Sequence, residues 1–266
     1  MKHIKHSLTV FNVYRQETLR NRARLFVDLL TLVARCGVLL LLYHALFMAR
    51  GGMVSGVTFQ VAAWSMFFYF LLMTLRLRKI ATDINSDVQS GSIEMYINKP
   101  FSYIVYKMSA LFGEGIIPFF ISLIVGGLLL YSTIGVPSFF MTTLFMITVP
   151  IVFVLSCVLC LFIFTTVGLC SFWIEDISSL YWIVDKFVMV LGGSYLPIAF
   201  FPKIMYYFAI YTPFGLSSLL SHVVYESWNE KYVMLISLQV MWGIVVYIVM
   251  HYVFNKALQN LSVNGG

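Results

Sequence analysis

Charged residues inside apolar segments are the first candidates for chemistry in this sequence. Asp28 and Arg35 lie seven residues apart in one such segment, Glu114 lies in a second, and Asp185 lies beside Lys186 in a third. An unpaired charge at mid-bilayer costs at least about 2.5–3.5 kcal/mol, so each predicts a partner or a functional position. Asp28 and Arg35 share one helix face two turns apart and could approach each other through water or a third group. Glu114 could line a pathway or pair with Arg35 across helices. For each charge we favour a pair that fixes helix packing, or an interfacial anchor, over a place on a translocation pathway.

Motifs for catalysis and nucleotide binding are absent from the sequence. It contains no G-x-x-x-x-G-K-[ST] phosphate loop, no G-x-S-x-G, no H-E-x-x-H and no Asp/Glu/His cluster at metal-ligand spacing. Cys157 and Cys160 lack His or carboxylate companions, so we interpret the four cysteines as packed, reduced thiols. The sequence predicts no enzyme, no metal and no cofactor in this chain, and any use of ATP requires a partner.

Membrane-spanning helices are the elements that must position these residues. Of the 266 residues, 61% are hydrophobic and 11% are charged, against a charged share of roughly 25% in soluble domains. The apolar segments are about 20 residues or longer, enough to cross a hydrocarbon core of roughly 30 Å. No water-exposed module carries the basic face that nucleic-acid binding requires. The predicted fold class is an all-α polytopic membrane protein with six transmembrane helices.

The six spans are predicted at Leu25–Met48, Val57–Leu75, Met108–Tyr131, Phe139–Phe172, Ser178–Gly193 and Val233–Phe254. The fourth is overlong, so we expect it to tilt, to kink near Pro150 or to project beyond the bilayer. Residues 1–24 carry basic residues on one face and apolar residues on the other, which predicts an N-terminal amphipathic interfacial helix before a transmembrane domain over residues 25–266. A cleaved signal peptide is disfavoured because the next apolar segment is too long.

The distribution of Lys and Arg predicts the orientation of the spans. With the N-terminus inside, the opposite side holds only Arg50, Lys203 and Lys231, whereas the cytoplasmic segments collect the clustered basic residues. This bias follows the positive-inside rule. An even number of spans then returns the C-terminus to the cytoplasm.

One long polar segment, residues 76–107, joins the second and third predicted spans. Its first half predicts a helix with Ile80, Ile84 and Val88 on one face, and Gly91 ends that helix. Its acidic residues are Asp83, Asp87 and Glu94. Such a short amphipathic element suits docking onto another protein. A connector lying on the bilayer surface is the alternative, and the spacing alone leaves both open.

A second irregular stretch, residues 191–215, is apolar and aromatic but interrupted. The interruptions are Gly192, Gly193, Pro197, Pro202 and Pro213. Broken backbone at membrane depth must be buried in protein or line a cavity, because lipid cannot satisfy its amides. We expect a re-entrant pair of short helices on the outer side. The alternative is a kinked fifth span followed by an interfacial helix.

Two of these stretches resemble the type-2 ABC export permeases, the ABC-2 type, whose structures are called type V. Residues Asp83–Lys107, DINSDVQSGSIEMYINKPFSYIVYK, are similar to that family's cytoplasmic coupling helix, an acidic helix followed by G-x-I/L, a short apolar run and Lys/Arg-Pro. Residues Gly192–Gly215 resemble its re-entrant element after span five, and the N-terminal amphipathic helix resembles its connecting helix.

The resemblance implies functional residues at the matching positions. ATPase-coupling residues would be Asp83, Asp87, Gly91, Ile93, Glu94 and Tyr96, and the re-entrant element would be marked by Gly192, Gly193, Pro197 and Pro202. Asp185 and Lys186 depart from the pattern, since mostly apolar residues are expected in span five.

The resemblance further implies the membrane subunit of an ATP-driven exporter in the cytoplasmic (inner) membrane. The implied partners are a cytoplasmic ABC ATPase, which would bind ATP and Mg²⁺, and a second permease, identical or paralogous. Small outer loops favour export of a hydrophobic or amphipathic compound, lipid or peptide. A non-transporting assembly or scaffold protein and a passive channel are the alternatives. The sequence leaves the substrate and the type of permease dimer open.

Overall fold

Helices make up most of the described residues. The computed structural model describes residues 2–54, 56–97, 99, 101–137, 140, 142–194 and 196–264. Its helices are α1 Lys2–Arg20, α2 Arg22–Ala49, α3 Phe59–Met73, α4 Lys79–Gln89, α5 Ile93–Ile97, α6 Tyr103–Ile134, α7 Thr143–Leu169, α8 Ser178–Leu191, α9 Lys203–Tyr211, α10 Pro213–Leu216 and α11 Trp228–Asn264. An antiparallel hairpin of β1 Met53–Val54 and β2 Val57–Thr58 joins α2 to α3. Short 3₁₀ turns occupy Cys170–Phe172, Ile198–Phe200 and Leu219–His222.

Four of the described helices are long and apolar enough to cross a bilayer. They are α2, α6, α7 continued by its 3₁₀ turn, and α11 from Trp228 to Gln259. These helices match the first, third, fourth and sixth predicted spans, although the predicted start of the fourth at Phe139 lies outside the described residues. The chain is an all-α, multi-pass membrane protein.

The predicted second and fifth spans form shorter helices. α3 has 15 residues and α8 has 14, which corresponds to lengths of about 21–23 Å. A hydrocarbon core is about 30 Å thick, so neither helix crosses it unaided. Residues 57 and 58, placed by the sequence in the second span, form β2 instead. The count of six membrane crossings therefore stays a prediction.

α7 lies at the centre of the packing and contacts both α4 and α11. Its residues Val152 and Phe164 have no exposed surface, and the helix continues through Pro150. Near its end, a Cβ added to Gly168 would lie 2.9 Å from the Cα of Ala81 in α4. Only glycine at this position lets α4 pack so closely against α7.

The predicted N-terminal amphipathic helix is present as α1. The chain breaks at Asn21, whose side-chain oxygen accepts a 3.1 Å hydrogen bond from the backbone N–H of Arg24 and caps α2. One face of α1 packs on α6, where a Cβ on Gly113 would lie 2.5 Å from the carbonyl oxygen of Phe11. Protein thus covers part of α1, and its place at the membrane surface stays a prediction.

The stretch from residue 191 to residue 215 folds as short helices separated by turns. Each of the three prolines lies at the start of a helical segment. Pro197 precedes the 3₁₀ turn Ile198–Phe200, Pro202 precedes α9, and Pro213 is the first residue of α10. Gly193 has a φ of +80° and turns the chain after α8, while Tyr195 lies outside the described residues. The interrupted backbone is observed, and its re-entry into the membrane stays a prediction.

Candidate functional site

The apolar face of α4 is covered by this chain itself. Ile80 and Ile84 have no exposed surface, and Ile84 packs against the Gly168 region of α7. The opposite face is exposed at Thr82 and Ser86. Because α7 occupies the apolar face, a partner protein can reach α4 only through its polar face.

The two carboxylates of α4 are bound by basic residues of the same chain. The Asp83 carboxylate lies 3.4 Å from the Lys79 ammonium. The Asp87 carboxylate lies 2.6 Å from the ammonium of Lys107 and accepts a 2.6 Å hydrogen bond from the Tyr103 hydroxyl. Burial raises the pKa of the Asp83 carboxyl above its ordinary value, and the neighbouring Lys79 and Lys107 offset that rise only partly. Asp87 therefore ties α4 to α6, whereas Asp83 pairs within α4, with a lysine that also binds Glu114 of α6.

The remaining predicted coupling residues surround the turn into α5. Gly91 has a φ of +69°, a conformation that favours glycine, and it redirects the chain after α4. Ile93 is buried at 1% exposure, whereas Glu94 is exposed. Tyr96 is half-buried, with the Lys99 ammonium 5.1 Å from its ring centre. Of these residues, Gly91 and Glu94 face outward, and Ile93 anchors the segment.

Arg78, at the N-terminal end of α4, joins three elements. Its guanidinium lies 2.6 Å from the Asp185 carboxylate in α8 and donates a 2.9 Å hydrogen bond to the Tyr69 hydroxyl in α3. The Arg78 and Asp185 side chains are only 9% and 15% exposed. Phe164 of α7 also lies beneath the guanidinium, 5.7 Å from it. A shift of α4 would therefore pull directly on α8.

The other charges predicted inside spans find partners from neighbouring elements. Asp28 pairs with Arg76. Glu114 pairs with Arg24 at 3.0 Å and with Lys79 at 3.3 Å. Among the described residues Glu114 therefore pairs with Arg24 and Lys79 and not with Arg35, the partner that the sequence suggested. The packing of the helices places basic residues that flank α2 and α4 next to both carboxylates.

A cavity of about 870 Å³ opens between α2, α3, α4 and α8. Its charged lining residues are Arg35, Arg76, Arg78, Lys79, Asp185 and Lys186. Of the five charges predicted inside spans, Arg35, Asp185 and Lys186 line this cavity, while Asp28 and Glu114 are not among its lining residues. The Arg78–Asp185 pair belongs to its wall, so a movement of α4 relative to α8 would change the shape of the cavity.

Of the glycines and prolines predicted for the re-entrant element, Gly192 packs against a residue that lines this cavity. A Cβ on Gly192 would lie 2.7 Å from Ser218, which lines the cavity, so the two turns pack tightly. Gly193 bends the chain, as described above. Pro197 is buried and Pro202 is exposed. Gly192 thus brings the turn after α8 against the turn after α10.

Sequence reasoning did not single out Arg78, Tyr69 or Lys107 as site residues. The cluster Arg76-Leu77-Arg78-Lys79 contributed only to the charge bias that predicts the orientation of the spans. Its position directly before an amphipathic helix was the available signal, because basic residues there can reach carboxylates on the neighbouring spans. Partners more than 100 residues away in the chain, as for Arg78 and Asp185, leave no local pattern.

Among the described residues, no group of three or more His, Cys, Asp or Glu side chains lies close enough together to hold a metal ion. Cys157 and Cys160 are buried at 2% and 8% exposure. That this chain holds no cofactor stays a prediction.

Comparison with protein families places this chain. A family model described as "ABC-2 family transporter protein" matches residues 33–265, which include most of α2 and all of α3 to α11. A search of curated proteins gives no match.

Proposed function

The chain belongs to the ABC-2 transporter family and is an ABC transporter permease, and we propose that it is the membrane subunit of an exporter. Its cargo would be a hydrophobic or amphipathic compound, lipid or peptide, moved across the cytoplasmic membrane. A separate cytoplasmic ABC ATPase would bind ATP and Mg²⁺. A second permease, identical or paralogous, would complete the pathway.

The connection of α4 to the cavity wall is the observation that carries this proposal. α4 packs its apolar face on α7, leaves its polar face exposed, and is joined to α8 through Arg78 and Asp185. ATP-driven closure of two ATPases would push on the exposed face, and the ion pair would pass that movement to α8. The segment is thus suited to couple ATP hydrolysis to a change in the cavity.

The predicted coupling residues divide into two groups under this proposal. Asp87, Ile93 and Tyr96 seat the segment on the transmembrane helices, Asp87 and Tyr96 through Lys107 of α6, whose ammonium lies 5.5 Å from the Tyr96 ring centre. Asp83 acts within α4 by holding Lys79, which binds Glu114 of α6. Gly91 and Glu94 face away from the chain and would meet the ATPase. This division predicts that changes in the first group alter the permease itself, whereas changes at Glu94 alter only docking.

Orientation and direction rest on the charge distribution and the outer connections. Arg24, Arg76, Lys79 and Lys107 meet around α4, the side on which an ATPase would dock. By the positive-inside rule this side is cytoplasmic, and with six crossings both termini lie there too. The connection from α2 to α3 on the opposite side is only a short hairpin, too small to receive a substrate-binding protein, which favours export.

Co-purification tests the assembly. We expect mass spectrometry of the tagged chain, purified from its native membranes in mild detergent, to find a stoichiometric cytoplasmic ATPase. A second permease in the same preparation would be a paralogue, and its absence would indicate a homodimer. If no ATPase is found under conditions that keep other membrane complexes intact, the exporter proposal is wrong and a scaffold or channel is favoured.

Reversal of one exposed charge tests the docking face. Glu94→Arg should lower ATPase activity of the reconstituted complex by roughly tenfold, equivalent to about 1.4 kcal/mol of lost coupling. Glu17→Arg, an exposed reversal on α1, is the matched control and should leave the activity unchanged. Equal activities for both variants in correctly inserted protein would contradict docking through the exposed surface around the turn from α4 into α5.

A further inference from the structure

The cavity between α2, α3, α4 and α8 carries more positive than negative charge. Five cationic side chains line it, from Arg35, Arg76, Arg78, Lys79 and Lys186, and one carboxylate, from Asp185. These cations could not attract a ligand if each of them were already paired with a carboxylate. The ion pairs of the described residues show which cations are paired.

Three of the five cations are neutralised by carboxylates. Arg76 binds Asp28 from behind the lining. Arg78 binds Asp185 at 2.6 Å. Lys79 lies between Asp83 and Glu114, at 3.4 Å and 3.3 Å. The carboxylates neutralise these three cations, which attach the start of α4 to the neighbouring helices and would attract an anionic ligand only weakly.

Arg35 has no such partner. Across the described ranges of the chain it forms no ion pair, and its side chain is exposed. It lies seven residues beyond Asp28 in α2, which is about 10 Å deeper along the helix. A lone guanidinium at such a depth is costly unless it faces a water-filled cavity or meets an anion. Arg35 lines such a cavity, which also has room for an anion.

Lys186 is the second cation without a carboxylate of its own. Its ammonium lies 3.6 Å from the Asp185 carboxylate, but that carboxylate already binds Arg78 at the shorter distance. Its other contacts are the Met189 sulfur at 3.8 Å and the Trp182 ring at 5.7 Å, neither of which carries a negative charge. Lys186 is also 40% exposed. Arg35 and Lys186 therefore leave two positive charges available.

The rest of the lining suits an amphiphile. Apolar walls are supplied by Val38 and Phe70, and hydroxyls by Tyr181, Ser217 and Ser218. The volume of about 870 Å³ falls within the 300–1,000 Å³ typical of small-molecule sites. A cationic, hydroxyl-rich region beside apolar walls matches a negatively charged head group with a hydrocarbon chain.

We propose that this cavity binds an anionic amphiphile, with Arg35 and Lys186 holding its acidic head group and α2, α3 and α8 flanking its chain. Identification of that amphiphile as the cargo rests on the proposed export function. The binding site itself does not, because it is built from side chains of this chain alone. The same head-group chemistry would serve a resident anionic lipid or a transported compound.

Direct binding tests the site. Radiolabelled dodecyl phosphate should bind saturably to the purified full chain in a neutral maltoside detergent. We expect Arg35→Gln and Lys186→Gln each to weaken binding about tenfold, the cost of one charge-assisted contact. Arg35→Lys keeps the charge and should retain most of the affinity. Lys203→Gln, an exposed change on α9 away from the cavity, is the matched control.

Competitors identify what the site recognises. If dodecyltrimethylammonium displaces the label as well as unlabelled dodecyl phosphate does, the charge preference is wrong. If inorganic phosphate displaces it equally well, the site takes a free anion and the amphiphile is wrong. Unchanged binding in Arg35→Gln and Lys186→Gln would overturn the site.

The same preparation separates this proposal from the proposed function. Release of the label on adding ATP and Mg²⁺ to the complex with its ATPase would identify a cargo, and retention would identify a resident lipid. Loss of binding with an intact ATPase complex would overturn the site alone. Binding without any co-purifying ATPase would overturn the exporter and leave the site standing.

Discussion

The two ends of the transmembrane helices are held together by different interactions. We call the surroundings of α4 the α4 end, and the surroundings of the β1–β2 hairpin the hairpin end. The α4 end contains the ion pairs Asp28–Arg76, Asp185–Arg78, Glu114–Arg24, Glu114–Lys79 and Asp87–Lys107. The hairpin end contains neutral hydrogen bonds, Ser65 to Ser221, Tyr225 to Ser65, Trp228 to Thr148 and Trp64 to Gly135.

This difference suggests a division of mechanical roles. Partly exposed ion pairs lose and regain partners at small cost, because water and salt compete for the charges. Buried hydrogen bonds between neutral groups have no such competitors once water is excluded. The α4 end is therefore suited to rearrange under an ATPase, and the hairpin end to hold the helices in register. The buried Arg78–Asp185 pair is the exception that connects the moving part to α8.

Breaking that buried pair should have the largest effect on stability. Arg78→Ala leaves the Asp185 carboxylate 15% exposed and without its main partner, which costs about 3–5 kcal/mol. Thermal unfolding of the detergent-purified chain, followed by size-exclusion chromatography, should show a correspondingly lower midpoint. The double variant Arg78→Ala with Asp185→Ala removes both charges and should recover part of the loss. If the double variant is as unstable as the single one, the guanidinium acts through packing and not as the partner of Asp185.

Removing a neutral contact at the hairpin end should have a smaller effect that salt does not change. Ser65 is 1% exposed, donates a 2.8 Å hydrogen bond to the Ser221 carbonyl and accepts one from the Tyr225 hydroxyl at 3.1 Å. Ser65→Ala should lower the free energy of unfolding by about 1 kcal/mol, at low and at high salt alike. Ser132→Ala, on the exposed surface of α6, is the matched control. A salt-dependent loss at Ser65 would contradict the proposed contrast between the ends.

The sequence predicted elements well and partners poorly. Ile80 and Ile84 indicated the buried face of α4, because spacing along one helix reports directly on that helix. The sequence suggested Arg35 as a partner of Glu114, yet Glu114 binds Arg24 and Lys79, and the sequence named no partner for Asp28 that matches Arg76. Such pairings depend on how neighbouring helices are rotated and shifted against each other. No periodicity within one helix contains that information.

The cavity illustrates the same limit. Arg35 and Lys186 were visible in the sequence as charges in apolar segments, but their common position in one cavity follows only from the packing of α2 against α3 and of α8 against α7 and α10. The proposed head-group site depends on two facts: Arg35 forms no ion pair among the described residues, and Lys186 shares its one carboxylate, Asp185, with Arg78. Both could be recognised only after the nearby carboxylates had been assigned to their bases.

The smallest effect should come from a partly exposed ion pair at the α4 end. Lys79 is 40% exposed and lies 3.3 Å from Glu114, which keeps its second partner Arg24 at 3.0 Å. Lys79→Gln should therefore cost no more than about 0.5–1 kcal/mol at low salt, and the difference should vanish near 1 M salt, where screening acts over about 3 Å. Unfolding midpoints measured at both salt concentrations test this. A loss of stability that persists at high salt would mean that Lys79 is held as rigidly as the hairpin end, and the division between a rearranging and a fixed end would then fail at its most exposed pair.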